Sequence, residues 1–144
     1  MKTYVDTSVL VSLYITDANS PKADAWRQAN PAAIGFTSFH RIELRNAMSL
    51  AVFQQRLTSA EAQAAWQDVE QDLAAGLLVP APESWAKVAQ EAERLAELHT
   101  PTIGSRSLDI LHVAAALISG TTEFCSFDER QRRLAQLAGL RVQP

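Results

Sequence analysis

The run Leu108-Asp109-Ile110-Leu111-His112-Val113-Ala114-Ala115-Ala116-Leu117-Ile118 constrains this chain more than any other. It reads as a helix that is apolar nearly all round, so it must lie at the centre of the fold rather than on its surface. Asp109 falls in its first turn. A carboxylate there gains about 0.3–1 kcal/mol from the helix dipole. That does not offset burial of an unpaired charge, which costs several kcal/mol or more. Asp109 therefore needs a reason beyond capping.

The remaining elements alternate. Lys2 to Asp6 is a short buried strand that stops at an acid. It turns at once into a helix, Val9 to Ile15, with Thr7 or Ser8 placed to cap it. Pro21 to Ala29 is a helix with Pro at an early position, broken by Asn30-Pro31. Ala33 to Thr37 is a second strand, and Ser38 is expected to cap a long helix from Phe39 to about Gln55. A further helix runs from Thr58 or Ser59 to Ala75 and closes at Gly76. Leu77 to Val79 is a third strand, ended by Pro80 and Pro82. Glu83 to about His99 is a helix, Thr100 to Gly104 a loop, and Ser105 to Ser119 the central helix, closed by Gly120. Glu123 to Ser126 is a fourth strand, Asp128 to Ala138 the last helix, closed by Gly139, and Leu140 to Val142 a candidate fifth strand. Short strands separated by helices imply an α/β fold with a small parallel sheet covered on both faces.

Length and charge narrow the function. The 144 residues are 47% hydrophobic and read as one domain, 1–144, with a proper core. A formal net charge of −3 gives no broad basic surface, so nucleic-acid binding would need a local patch. One cysteine, Cys125, excludes an internal disulfide and fits a reducing, cytoplasmic compartment. No signal peptide opens the chain, and no apolar run is long enough to span a membrane. The three tryptophans, Trp26, Trp66 and Trp85, read as packing residues rather than base-stacking platforms.

Acids recur where strands end and helices begin. Asp6 ends strand one, at the carboxyl edge where open α/β sheets bind ligands. Asp128 follows strand four, and the right-handed crossover rule lets both ends share one side. Glu43 falls on an apolar stripe of its helix with Phe39, Ile42, Asn46 and Leu50. Four carboxylates at one edge would repel and raise each other's pKa unless a cation lay among them. Oxygen ligands with no clustered Cys or His favour Mg²⁺ or Mn²⁺ over zinc. Such ions activate water and stabilise a pentacovalent phosphate.

Val5-Asp6-Thr7-Ser8-Val9-Leu10, Ser38 with Glu43, Leu108 to Ala116, and Ser126-Phe127-Asp128 together resemble a PIN-domain ribonuclease, most of all the VapC-type toxins of type II toxin–antitoxin pairs. The resemblance implies a three-layer α/β/α sandwich with a small, mostly parallel sheet of strand order 3-2-1-4-5. It implies Mg²⁺-dependent cleavage of RNA, a cognate antitoxin and frequent homodimers. Carried over residue by residue, Asp6 and Asp109 would touch the metal most directly. Glu43 would act through water or orient the nucleophile, and Asp128 would be the fourth acid. Ser126 would hydrogen-bond a carboxylate or a metal water, with Ser8 a weaker candidate of the same kind. Arg106 would contact phosphate or the antitoxin. His112 has no clear metal role and reads as a packing histidine.

Two alternatives compete. A PIN nuclease with a housekeeping role in RNA processing would lack the antitoxin. A phospho-accepting receiver domain also sets acids at strand ends, but it needs paired acids after strand one and a Lys after strand five. Here strand one carries a single acid and no Lys follows Lys87.

Overall fold

Two parallel ladders carry the architecture. The computed structural model describes residues 1–81 and 84–144. In chain order the elements are β1 (Thr3–Val5), α1 (Thr7–Tyr14), α2 (Ser20–Ala29), β2 (Ile34–Phe36), α3 (Ser38–Phe53), α4 (Ser59–Ala74), β3 (Leu78–Pro80), α5 (Trp85–Ile103), α6 (Ser107–Ile118), β4 (Glu123–Cys125), α7 (Glu129–Leu137) and β5 (Arg141–Gln143). Residue contacts gather into two units. One comprises Met1–Asp6 and the described part of Pro82–Pro144; the other is Thr7–Ala81.

The first unit holds the sheet β1-β4-β5. Both ladders are parallel, pairing Thr3 with Glu123, Val5 with Cys125, Glu123 with Arg141 and Cys125 with Gln143. Tyr4 and Phe124 stack with ring centroids 5.6 Å apart. The central helix of the sequence is α6, and Ile110, Val113, Ala114, Ala115 and Ala116 are all buried. Its alanines let α5 pack closely, with Val88 and Leu95 facing inward.

The second unit holds the parallel pair β2-β3, registered Ile34 to Leu78 and Phe36 to Pro80. Its helices α1, α2, α3 and α4 pack among themselves. The expected single sheet of order 3-2-1-4-5 is not observed: the strands form two separate sheets, β1-β4-β5 and β2-β3. Strands of three residues offer few backbone groups to a neighbour, which limits each ladder.

Several boundaries differ from expectation. The cap of α3 is Thr37, not Ser38. Thr37 is extended, its hydroxyl accepts the His40 N–H at 3.3 Å, and His40 Nδ1 accepts the Thr37 N–H at 3.1 Å. Helix α1 starts at Thr7 itself. Helix α5 continues through the predicted loop to Ile103. Pro101 forfeits only one amide near the helix end, and Gly104 stops the helix in the left-handed conformation at φ 70°. The predicted helix start at Glu83 and the strand stop at Pro82 lie outside the described residues. The buried stripe of α3 is Phe39, His40, Leu44, Met48 and Ala51, while Ile42 and Leu50 are exposed. Of the expected stripe, Phe39 is buried, whereas Ile42, Asn46 and Leu50 fall on the exposed side. Of the tryptophans, Trp26 is buried, Trp85 is half exposed, and Arg41 and Arg45 stack over Trp66.

Candidate active site

Parallel pairing brings two strand ends together. The Asp6 N–H donates to Cys125 O at 2.9 Å, so Asp6 continues the β1–β4 ladder and its side chain is buried. Ser126, one residue beyond β4, is fully buried beside it in the ladder, its N–H donating to Gln143 O. Asp128 then caps α7, its Oδ1 accepting the Gln131 N–H at 2.8 Å. Asp109 lies in the first turn of α6.

Charge is poorly balanced at this edge. Burial pushes the Asp109 carboxyl above the usual carboxylate range; Arg106 opposes this, and the negative charges of Asp128 and Asp6 reinforce it. Arg106 is the cation in contact here, with Nε 3.3 Å from Asp109 Oδ2 and Nη2 3.7 Å from Asp128 Oδ2. Its side chain is 66% exposed, so water screens much of that attraction. Arg106 is turned onto the acids.

Two neutral side chains reach Asp6 in series. Gln131 Nε2 donates to Asp6 Oδ1 at 3.1 Å, and Ser126 Oγ donates to Gln131 Oε1 at 2.6 Å. Ser126 thus turns its hydroxyl proton to an amide rather than directly to a carboxylate. His112 is buried with Nδ1 2.8 Å from Tyr4 Oη, and its Nε2 stands 3.8 Å from Asp6 Oδ1. That fits a packing histidine whose far edge faces the site. The sequence reading missed Gln131. It stands among Arg130, Arg132 and Arg133 in a polar helix, and only its three-residue spacing from Asp128 hinted that it belongs to the first turn.

Glu43 and Ser8 belong to the other unit. Glu43 is half-buried on α3, and its Oε1 accepts the Thr7 hydroxyl at 3.1 Å. Ser8 is half-buried in the first turn of α1. The Cys125 thiol is fully buried and pushed up to about 12 by burial and by Asp6, which removes it as a nucleophile.

A divalent cation suits these groups by their chemistry. The donors are hard carboxylate oxygens, one of them desolvated and raised in pKa by its neighbours. Among the described residues no three His, Cys, Asp or Glu side chains converge into a ready-made cage. Asp6 and Asp109 would hold the ion, with Asp128 assisting.

The fold is an α/β protein with acids at the carboxyl edge of a parallel sheet, the edge at which open α/β sheets bind ligands. The PIN domain family matches residues 3–137, and the chain belongs to that family. PIN domains are generally nucleases, and they typically use divalent metals. The fold is similar to that in the crystal structure of FitAcB from Neisseria gonorrhoeae, with a TM-score of 0.70, 19% identity, and coverage of 99% of this chain and 96% of that one. No curated protein gives a significant match. Among the described residues no helix is long and apolar enough to cross a membrane.

Proposed function

We propose that this chain is a Mg²⁺- or Mn²⁺-dependent endoribonuclease, the toxin of a type II toxin–antitoxin pair. The observation that carries the nuclease reading is the gathering of Asp6, Asp109 and Asp128 at one strand edge: Arg106 faces Asp109 and Asp128, and the Gln131 amide lies between Asp6 and the Asp109 carbonyl. Such a group is poised to accept a cation. Asp6 and Asp109 would hold the ion with Asp128 assisting, and Glu43 would take the role of the family's second acid. A bound divalent ion supplies Lewis-acid stabilisation of phosphate charge and an acidic water. Tyr4 and His112 keep the inner side of Asp6 dry and packed.

The toxin reading rests on the resemblance of the four motif segments to VapC-type toxins. It brings a cognate antitoxin as partner, RNA as substrate, a homodimer and a cytoplasmic setting. A carboxylate-lined edge is best blocked by a cation, so the antitoxin would present an Arg or Lys to Asp6 and Asp109. The test is RNA cleavage by purified protein with fragment ends mapped. Cleavage should vanish in EDTA and return with Mg²⁺ or Mn²⁺, and expression without the partner should arrest growth. Full activity in chelator would sink the metal assignment; cleavage without growth arrest would favour an RNA-processing nuclease.

A further inference from the structure

Gln131 is completely buried in the first turn of α7. A buried amide must find partners for its oxygen and its nitrogen. Its Oε1 accepts from Ser126 Oγ at 2.6 Å, and its Nε2 donates to Asp6 Oδ1 at 3.1 Å and lies 3.5 Å from the Asp109 carbonyl oxygen. Its backbone N–H is taken by Asp128 Oδ1. One glutamine thus ties together the three aspartates of this edge.

The amide's direction follows from the chain of bonds. Ser126 Oγ accepts the Asp128 N–H at 3.1 Å, which leaves its own proton for Gln131 Oε1. An ionised Asp6 can only accept, so the NH₂ end must face it. The order Asp128 N–H, Ser126, Gln131, Asp6 is polarised in one sense from end to end.

We propose that Gln131 is a positioning residue that fixes the Asp6 carboxylate for a divalent cation without neutralising it. The inference rests on the reading of Asp6 as a metal ligand. A Lys or Arg at this place would also hold Asp6, but its charge would cancel the field that attracts the ion. An amide restrains the oxygen and leaves the charge in place. Partners of this kind orient ligands, and their loss typically costs about tenfold to a hundredfold in metal affinity or activity. Ser126 acts through Gln131 by fixing which end of the amide meets Asp6.

The experiment is Mn²⁺ binding by electron paramagnetic resonance of free Mn²⁺, with melting curves in EDTA, for the wild type, Gln131→Met, Ser126→Ala, the double variant and Asp6→Asn. Methionine keeps the length of glutamine and removes the donor. Gln131→Met should weaken Mn²⁺ binding about tenfold or more. Ser126→Ala should weaken it less, and the double variant should match Gln131→Met alone, because the two act in series. A merely structural glutamine would lower the melting temperature in EDTA and leave the Mn²⁺ affinity of the folded protein unchanged. That result, or additive losses in the double variant, overturns the proposal. If Gln131→Met does not fold, Ser126→Ala decides alone: wild-type affinity there is the overturning result. Equal binding by Asp6→Asn and wild type, or none by wild type, shows instead that Asp6 is not a ligand, and the positioning role falls with it.

Discussion

The sheet β1-β4-β5 has a buried acid at each end, and the two are treated in opposite ways. At the amino end Glu123 is 2% exposed. Its Oε2 accepts from Thr3 Oγ1 at 2.8 Å and Gln143 Nε2 at 2.6 Å, while Oε1 faces Lys2 Nζ at 2.9 Å and the Arg141 guanidinium. One negative charge meets two cations and two neutral donors. At the carboxyl end one exposed arginine faces both Asp109 and Asp128, and the Gln131 amide reaches Asp6. The flanking cations are similarly exposed at both ends, so the ends differ in the ratio of charges: two cations face one buried acid at the amino end, and one cation faces two acids at the other. In the proposed function the difference separates an acid held by the protein's own cations from acids that would hold a metal ion.

Cleavage should break the comparison most widely. Asp6→Asn or Asp109→Asn should lower RNA cleavage by about a hundredfold or more, the scale of losing one preorganised electrostatic group. Asp128→Asn should be milder, because one of its oxygens is already committed to the α7 cap. Glu123→Gln should leave the rate of folded protein unchanged. Rates measured on variants with native circular dichroism decide this. A wild-type rate in Asp6→Asn or Asp109→Asn, or a loss in Glu123→Gln as large as theirs, would erase the distinction between the two ends.

The acids of the proposed active edge stand out in the sequence because each stands at a break in the pattern. Asp6 ends an apolar strand, Asp109 interrupts an apolar helix, and Asp128 follows an apolar strand. Gln131 was not legible. Its partner Asp6 lies 125 residues away in sequence, and nothing local distinguishes it from the arginines around it. The α3 stripe was misread because Ile42 and Leu50 repeat at helical spacing on a face that stays outside, whereas the inner face includes His40, a residue a pattern of apolar positions passes over. The shift of the cap from Ser38 to Thr37 turns on a backbone torsion that two adjacent hydroxyl residues cannot reveal. The extension of α5 past Pro101 shows how proline reads as a stop even where only one hydrogen bond is at stake.

Stability should sharpen the comparison, because the same chemical change has opposite signs at the two ends. Glu123→Gln leaves Lys2 and Arg141 without their shared partner, disturbs the donors Thr3 and Gln143, and should cost about 1–3 kcal/mol. In EDTA at neutral pH, Asp6→Asn or Asp109→Asn removes one of several repelling charges while keeping an oxygen for Gln131 or Arg106. Those proteins should melt at or above the wild-type temperature. Adding Mg²⁺ or Mn²⁺ should then reverse the order. A ligand that binds only the native state stabilises it by RT ln(1 + [L]/Kd), about 2.7 kcal/mol at a hundredfold excess over Kd. The wild type should gain more than either variant, and Glu123→Gln should gain as much as wild type. If Asp6→Asn is much less stable than wild type in EDTA, Asp6 is a structural cap and the active edge is no different in kind from the Glu123 knot.

The smallest expected effect concerns pH. The folded-state pKa of Asp109 lies above its unfolded value, with burial as the largest cause and the Asp128 and Asp6 charges adding to it against Arg106. An acid shifted in this direction holds its proton more tightly when folded. Between the unfolded value, about 4, and the raised folded value, the native state binds more protons than the unfolded chain. Stability therefore falls as pH rises through that window, the reverse of a salt-bridged carboxylate. Asp109→Asn cannot titrate. In EDTA its melting temperature relative to wild type should be lowest below the window, rise across it, and level off above, within about 5 °C in all. Mg²⁺ or Mn²⁺ at the upper end should cancel the wild-type deficit, since the ion binds the ionised form. A difference that stays flat from acid to neutral pH would mean that Arg106 already balances Asp109, and that the active edge, like the Glu123 end, carries no unmet charge.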